Sequence, residues 1–185
     1  MAASCAPSSQ LVVVLVGIPG SGKSTFAKKV LNDARELPNS PRWSRISQDE
    51  LGTRRRCIEV AKQALRDGQH ILVDRCNFDE VQRGHWLALY GMASTYRVAV
   101  YLDISPTTAF QNVVTRPSHE GGVDAEQMSE GKLQDIIQRM ESSFTPPSKD
   151  EGFDEILSCH WESDVPEQID GIRERLVTLQ LEPSD

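Results

Sequence analysis

The sequence predicts an α/β fold in which a central parallel sheet is covered by helices on both faces. Apolar runs of strand length alternate along the chain with segments whose apolar spacing is that of amphipathic helices. The first run, LVVVLV at 11–16, has no polar alternation, which is typical of a central strand buried on both faces. At 185 residues, the chain has the length of one domain with a full core.

The elements follow from short apolar runs, from helical spacing and from residues that end or begin helices. Gly68 is expected to end one helix, while Ser105 and Pro106 have the N-cap and N1 positions of another. The predicted strands lie at 11–16, 43–47, 70–74, 97–104 and 155–161. The predicted helices begin near Lys23, cover 57–65, about 80–90, 106–115 and 133–140, and close the chain over 169–179. We expect residues 1–10 to form a flexible tail and 11–181 to form the single domain.

A glycine-rich turn follows the first strand and fits the pattern G-x-x-x-x-G-K-[ST]. Such a turn lets successive backbone N–H groups point into one hollow, and the following helix adds the positive end of its dipole. Lys23 can reach the outer phosphates and the Ser24 hydroxyl can ligate Mg²⁺. The sequence therefore predicts a site for a nucleoside triphosphate formed by Gly17, Pro19, Gly20, Ser21, Gly22, Lys23, Ser24 and Thr25.

Polar residues follow the next two strands, at the sheet edge where ligands of parallel sheets bind. Asp49 either accepts the proton of an attacking hydroxyl as a general base or positions that hydroxyl, or it is a helix N-cap or an acid in the first turn of a helix. Asp74 has the position of a carboxylate that holds Mg²⁺ or bonds to Ser24, the alternative being a buried carboxylate that serves neighbouring hydroxyls and N–H groups. Asn77 either contacts the acceptor or makes a turn, and turn chemistry favours the latter.

The polar stretch RPSHEGGVDAEQ after the fourth predicted helix is interpreted as a lid, at about 116–128. In small kinases with this phosphate loop, lid arginines neutralise the moving phosphoryl group, and Arg116 is the candidate here. The alternative is a surface arginine at a helix C-terminus, where the dipole favours a cation. Arg139 and His119 are minor candidates for phosphate contact.

Composition excludes several classes of protein. A net charge of −7 argues against sequence-blind adhesion to nucleic acid, although it allows a local basic groove. No stretch is apolar for long enough to span a membrane, and the first ten residues lack the features of a signal peptide. The four cysteines form no C-x-x-C pair and no zinc spacing, which indicates reduced thiols in a nuclear or cytoplasmic protein.

Four segments together resemble the 5′-hydroxyl polynucleotide kinase family, and most closely the kinase module of eukaryotic end-repair polynucleotide kinases. They are GIPGSGKST, RISQDELG, CIEVAKQALRDGQHILVDRCNFDEVQR and the late EGF, and the resemblance covers roughly 11–160. It implies that Asp49 is the general base, that Lys23 and Ser24 bind phosphate and Mg²⁺, and that Arg116 is the lid arginine. It also implies that Arg83 supports the acceptor site.

The sequence departs from the family pattern on the acceptor side. Gln48 replaces an arginine before the base, Cys76 replaces a threonine, and Gly52 stands where some members have an arginine that grips the acceptor phosphate. Arg54 and Arg55 are candidates for that role, unless the cluster Arg54–Arg56 is a solvated helix face.

The resemblance implies a monomeric, Mg²⁺-dependent enzyme that transfers the γ-phosphate of ATP or GTP to the 5′-hydroxyl end of DNA or RNA in nucleic-acid repair. The alternatives are a small-molecule kinase of the gluconate or nucleoside type and a non-enzymatic nucleotide-binding module. The latter is disfavoured because the sequence contains no N-K-x-D motif for guanine.

Overall fold

The computed structural model describes residues 10–36, 42–89, 95–115, 130–160 and 165–181. Five strands form one parallel sheet in the order β2-β3-β1-β4-β5. The strands are β1 Gln10–Val16, β2 Trp43–Ser47, β3 His70–Asp74, β4 Thr95–Asp103 and β5 Glu155–His160. The helices are α1 Lys23–Glu36, α2 Gln48–Leu51, α3 Arg54–Arg66, α4 Glu80–Leu87, α5 Pro106–Val114, α6 Glu130–Ser142 and α7 Val165–Leu181, with a 3₁₀ turn at Lys149–Glu151.

The central strand β1 is buried along its whole length, and its side chains alternate between two apolar clusters. Val12, Val14 and Val16 pack with residues of α3 and α4 on one face of the sheet. Leu11, Val13 and Leu15 pack with residues of α1 and α7 on the other face. The predicted parallel sheet with helices on both faces is therefore confirmed.

Most element predictions agree with the structure to within a few residues. Ser105 caps α5 by accepting a hydrogen bond from the Thr108 N–H at 3.1 Å, with Pro106 as the first helical residue. The short helix α2 was expected only under the alternative interpretation of Asp49, because four residues are too few to show a helical period. The predicted lid at 116–128 and tail at 1–10 fall almost wholly outside the described residues, and Arg116 and His119 lie outside them. No helix in the described ranges could cross a membrane.

The turn after β3 is held by a buried hydrogen-bond network centred on Asn77. Asn77 is fully buried and has a positive φ of 47°. Its Nδ2 donates to the Leu15 carbonyl at 2.8 Å, and its Oδ1 accepts from Trp86 Nε1 at 2.9 Å. The asparagine thereby joins β1 to α4 and fixes the turn. This is the turn-forming role that the sequence analysis favoured over contact with the acceptor.

Arg83 on α4 lies beneath this turn and is inaccessible to solvent. Its guanidinium donates to both carboxylate oxygens of Glu151, at 2.7 and 2.8 Å, and to the carbonyls of Asn77 and Thr145 at 3.0 and 2.8 Å. With its donors used inside the protein, Arg83 cannot contact an acceptor. The prediction of an acceptor-binding Arg83 is corrected to that of a buried clamp between α4 and the 3₁₀ turn.

The start of β3 contains a buried neutral histidine. His70 Nδ1 accepts a hydrogen bond from the Leu11 N–H at 2.9 Å, and its ring packs 4.9 Å from the ring of Trp43. Its Nε2 is buried with no hydrogen-bond partner in the described part of the chain. Burial lowers the pKa of His70 to about 4, because the imidazolium would be desolvated.

We predict that His70 makes stability fall with acidification between about pH 6.5 and pH 4. In this window the unfolded chain binds a proton that the folded chain excludes, so the free energy of unfolding drops by about 2–3 kcal/mol as pH falls. His70→Gln removes the titration, so the stability difference between wild type and variant should narrow as pH decreases. Urea unfolding at several pH values measures this difference. A constant difference would contradict the prediction.

We predict that Arg83→Met destabilises the fold by about 3–5 kcal/mol, because it leaves the Glu151 carboxylate buried without its partner. The double variant Arg83→Met/Glu151→Met should recover most of this loss, since no buried charge remains. Arg55→Met, which removes an exposed arginine 3.6 Å from Glu59, is the matched control and should change stability little. Urea unfolding followed by circular dichroism compares the four proteins. Equal stability of Arg83→Met and Arg55→Met would refute the clamp.

Candidate active site

The phosphate loop between β1 and α1 folds around its own lysine. Lys23 is buried, and its Nζ donates to the carbonyls of Gly17 and Ile18 at 2.9 and 2.8 Å and to Ser21 Oγ at 3.2 Å. These bonds hold the ammonium group at the mouth of the loop, beside the N-terminus of α1. Positive charge and helix dipole coincide there, which is the electrostatic requirement for binding a polyphosphate.

Gly20 lets the phosphate loop approach helix α5 closely. Its φ is +84°, and a Cβ at this position would lie 2.2 Å from the Ala109 carbonyl oxygen, so a side chain cannot be accommodated. Asn112 of the same helix donates from Nδ2 to the Gly20 carbonyl at 3.0 Å. Helix α5 therefore fixes the conformation of the loop.

Asp74 ends β3 beside the phosphate loop and is 5% exposed. Its Oδ1 accepts a hydrogen bond from Ser24 Oγ at 3.4 Å. Its Oδ2 accepts from Nε and Nη2 of Arg45 at 2.9 and 2.5 Å. The predicted proximity of Asp74 and Ser24 is thus seen, and Arg45 compensates the buried negative charge.

Arg45 is a site residue that sequence reasoning missed. It lies on β2, and its Nη1 also donates to Glu50 at 2.6 Å, so one guanidinium joins two carboxylates. The sequence did contain one indication of this position. Arg45 comes two residues after Trp43 in the strand, so it lies on the same face of the sheet as Trp43, and Trp43 packs against the core.

The oxygens of Ser24 and Asp74 fit a magnesium ion. Both are hard ligands, and because Arg45 occupies Oδ2, Oδ1 of Asp74 remains directed toward Ser24. Within the described ranges no group of three or more histidine, cysteine or acidic side chains could hold a metal by itself. Mg²⁺ in phosphoryl-transfer sites takes one or two protein ligands and completes its shell with phosphate oxygens and water.

Asp49 lies on α2, directly after β2, on the same edge of the sheet as Asp74. Asp49 is an exposed residue, and partial desolvation, followed by the charge of Asp74, raises the pKa of its carboxyl, while Arg45, Arg75 and Lys23 act in the opposite direction. The carboxylate is therefore within electrostatic reach of both the phosphate loop and Asp74. The N-cap of α2 is Ser47, and Asp49 lies in the first turn of this helix, which is the position that the alternative to a general base predicted. A carboxylate with a raised pKa beside a phosphate site suits a general base.

The predicted acceptor residues separate into two groups. Asn77 and Arg83 are buried behind the turn, as described above, and do not reach the surface. Arg54 and Arg55 begin α3 at the surface, where the Arg55 guanidinium lies 3.6 Å from Glu59. Only the second group remains available to contact a ligand.

Arg75, which immediately follows Asp74, was also missed by sequence reasoning. Its guanidinium lies 6.0 Å from the centre of the Trp86 ring, and its Nη1 is buried without a hydrogen-bond partner among the described residues. Burial, and secondarily the charge of Arg54, lowers the pKa of Arg75. The sequence contains no signal for this environment, because Trp86 lies eleven residues away along the chain.

A cavity of about 280 Å³ opens beside the phosphate loop on its α1 side. Phe26, Leu102 and Ile169 give it apolar walls, and Asn112 and Thr115 supply polar groups. Thr25, which was predicted to bind nucleotide, lies on its wall. Apolar walls with a few polar groups are typical of sites for aromatic ligands.

Comparison with known proteins agrees with this arrangement. The model of the AAA domain family matches residues 12–143. A transcription factor bHLH140 of Arabidopsis thaliana is 33% identical over 163 residues, which are 85% of this chain and 17% of that protein. A bifunctional polynucleotide phosphatase/kinase of Schizosaccharomyces pombe is 29% identical over 145 residues, which are 78% of this chain and 32% of that protein. The chain thus spans less than a third of the length of these two relatives.

A small-molecule kinase and a solved RNA kinase are also similar. The cytidylate kinase of Ignicoccus hospitalis is 28% identical over 147 residues, covering 77% of this chain and 81% of that protein. The crystal structure of a fungal RNA kinase superposes with a TM-score of 0.72 at 17% identity, covering 96% of this chain and 93% of the other. The likeness to the RNA kinase supports the fold. The chain therefore belongs to the AAA domain family and has the fold of a P-loop kinase.

Proposed function

We propose that this P-loop kinase transfers the γ-phosphoryl group of ATP or GTP to the 5′-hydroxyl end of DNA or RNA. The observation that carries the proposal is the position of Asp49, which follows β2 at the sheet edge where the paired strand β3 ends in Asp74, the residue bonded to Ser24 of the phosphate-loop motif. The match to a polynucleotide phosphatase/kinase supports an acceptor of the nucleic-acid class. The enzyme is proposed to act as a monomer in nucleic-acid repair, in the nucleus or the cytoplasm.

The donor nucleotide is proposed to lie along the N-terminal end of α1. Backbone N–H groups of the phosphate loop and the Lys23 ammonium bind the β- and γ-phosphates. The base occupies the cavity between Phe26, Leu102 and Ile169. Ser24 and Asp74 would hold Mg²⁺, which neutralises charge on the phosphates when bound. Arg116, outside the described residues, is proposed to add positive charge from the lid.

The acceptor hydroxyl is proposed to lie between Asp49 and the γ-phosphate. Asp49 accepts the proton as the O–H bond breaks, and the freed oxygen forms a bond to the γ-phosphorus. The bond from that phosphorus to the β-phosphate oxygen breaks at the same time, so the nucleoside diphosphate leaves. Lys23 stabilises the charge that develops on the transferring group.

We predict that the purified chain phosphorylates at least one 5′-hydroxyl oligonucleotide and that Lys23→Ala abolishes this transfer without unfolding the protein. Among the described residues the Lys23 ammonium bonds to the phosphate loop alone, so its loss removes phosphate binding while the core stays intact. The measurement uses labelled ATP or GTP with 5′-hydroxyl DNA, 5′-hydroxyl RNA, gluconate and nucleosides as acceptors.

Each alternative function gives a different pattern in the same assay. Rapid transfer to gluconate or a nucleoside, with none to oligonucleotides, would contradict the proposal and identify a small-molecule kinase. Nucleotide binding with slow hydrolysis and no transfer to any acceptor would identify a non-enzymatic module. Lys28→Ala, on the exposed face of α1 and not among the residues that line the cavity, tests whether loss of any cation near the loop lowers activity, and it should retain transfer.

A further inference from the structure

Arg75 differs from the other arginines that are held against the core near the crevice. Arg45 is paired with Asp74 and Glu50, and Arg83 is paired with Glu151. Within the described ranges Arg75 forms no ion pair, and its Nη1 is buried without a partner. A buried guanidinium N–H without an acceptor carries an uncompensated desolvation free energy. A ligand that supplies an acceptor would remove this cost.

The surroundings of Arg75 favour an anionic ligand. Its neighbours include Cys57, whose pKa is raised by burial, so that thiol is neutral near pH 7 and does not compensate the arginine. Arg54 at the surface adds a second positive charge within electrostatic reach. Arg75 directly follows Asp74, which is paired with Ser47 in the parallel ladder, so Arg75 leaves the sheet at the same edge as Asp49, the carboxylate assigned as general base.

The buried network behind the turn holds Arg75 in place. The ring of Trp86 lies 6.0 Å from its guanidinium, and Trp86 is itself fixed by the hydrogen bond to Asn77. Asn77 is bonded to β1, and its carbonyl accepts from Arg83. Asn77 and Arg83 thus fix the ring against which the Arg75 guanidinium lies, although neither reaches the surface.

We infer that Arg75 binds the phosphodiester next to the reacting 5′-hydroxyl of the acceptor and so selects a polynucleotide end. This inference rests on the proposed function. A planar guanidinium matches phosphate oxygens, and the Nη1 donor would gain the acceptor that it lacks in the free protein. Arg75, directly after β3, thus supplies the positive charge that Gly52, which follows β2 and α2, cannot supply.

The test combines protein variants with a change in one linkage of the acceptor. Wild type, Arg75→Ala and Arg75→Lys are assayed with a 5′-hydroxyl oligonucleotide whose first internucleotide linkage is either natural or a neutral methylphosphonate. Arg66→Ala, an exposed arginine at the other end of α3, is the matched control. The readouts are KM for the oligonucleotide, KM for ATP and the dependence of kcat/KM on salt.

With the natural linkage, Arg75→Ala should raise KM for the oligonucleotide about tenfold to a hundredfold, which corresponds to loss of a charged hydrogen bond. KM for ATP should stay unchanged, and the slope of log(kcat/KM) against log[salt] should decrease in magnitude by about one. The neutral linkage should raise KM for wild type by a similar factor and add little to Arg75→Ala, because both changes remove the same contact. Arg66→Ala should respond to the linkage as wild type does.

Equal behaviour of Arg75→Ala and Arg66→Ala, or additive effects of the variant and the linkage, would overturn the inference while leaving the proposed function intact. Transfer to no oligonucleotide by wild type would instead overturn the proposed function, and this inference with it. Circular dichroism and ATP affinity establish that the variants are folded. If Arg75→Ala is unfolded, Arg75→Lys carries the test, since a lysine retains the charge but not the planar geometry and should show a reduced response to the linkage.

Discussion

The buried carboxylate of Asp74 is the constraint on which the arrangement of the crevice depends. A carboxylate that is 5% exposed at the end of an apolar strand is costly unless its charge is compensated. Arg45 supplies that compensation from the neighbouring strand, and Ser24 bonds to the remaining oxygen. These contacts join β2, β3 and the phosphate loop, which are the three parts of the chain that must be aligned for phosphoryl transfer.

The register between β2 and β3 also determines where the residues after these two strands lie. Ser47 is paired with Asp74 in the parallel ladder between β2 and β3, so both strands end at the same level of the sheet. The chain then continues into Asp49 on one side and Arg75 on the other, and their charges interact. The candidate base and the candidate acceptor-binding arginine are therefore neighbours because of the sheet, although 26 residues separate them in sequence.

The arginines of the crevice illustrate how far the sequence could predict this site. The parallel sheet and the phosphate loop were predictable because apolar runs and glycine spacing are local signals. The role of an arginine depends on which carboxylate the fold brings to it. Arg83 was expected at the acceptor site. Its partner Glu151 lies 68 residues further along the chain, and no local sequence pattern predicts that contact. Arg45 was missed for the same reason, since its partner Asp74 lies 29 residues further along the chain. Arg75 was missed because Trp86, the ring near its guanidinium, lies eleven residues away, and Arg116 lies outside the described residues.

The central claim is that Asp49 receives the proton of the acceptor hydroxyl, and the pH dependence of single-turnover transfer tests it most directly. Because partial desolvation and the charge of Asp74 raise the pKa of Asp49, the wild-type rate should fall tenfold per unit as pH drops through that pKa. Asp49→Asn should be slower by about 10²–10⁴-fold, should lack this acidic limb and should bind ATP as wild type does. A variant that keeps the wild-type rate and pH profile, or that loses ATP affinity instead, would contradict the account.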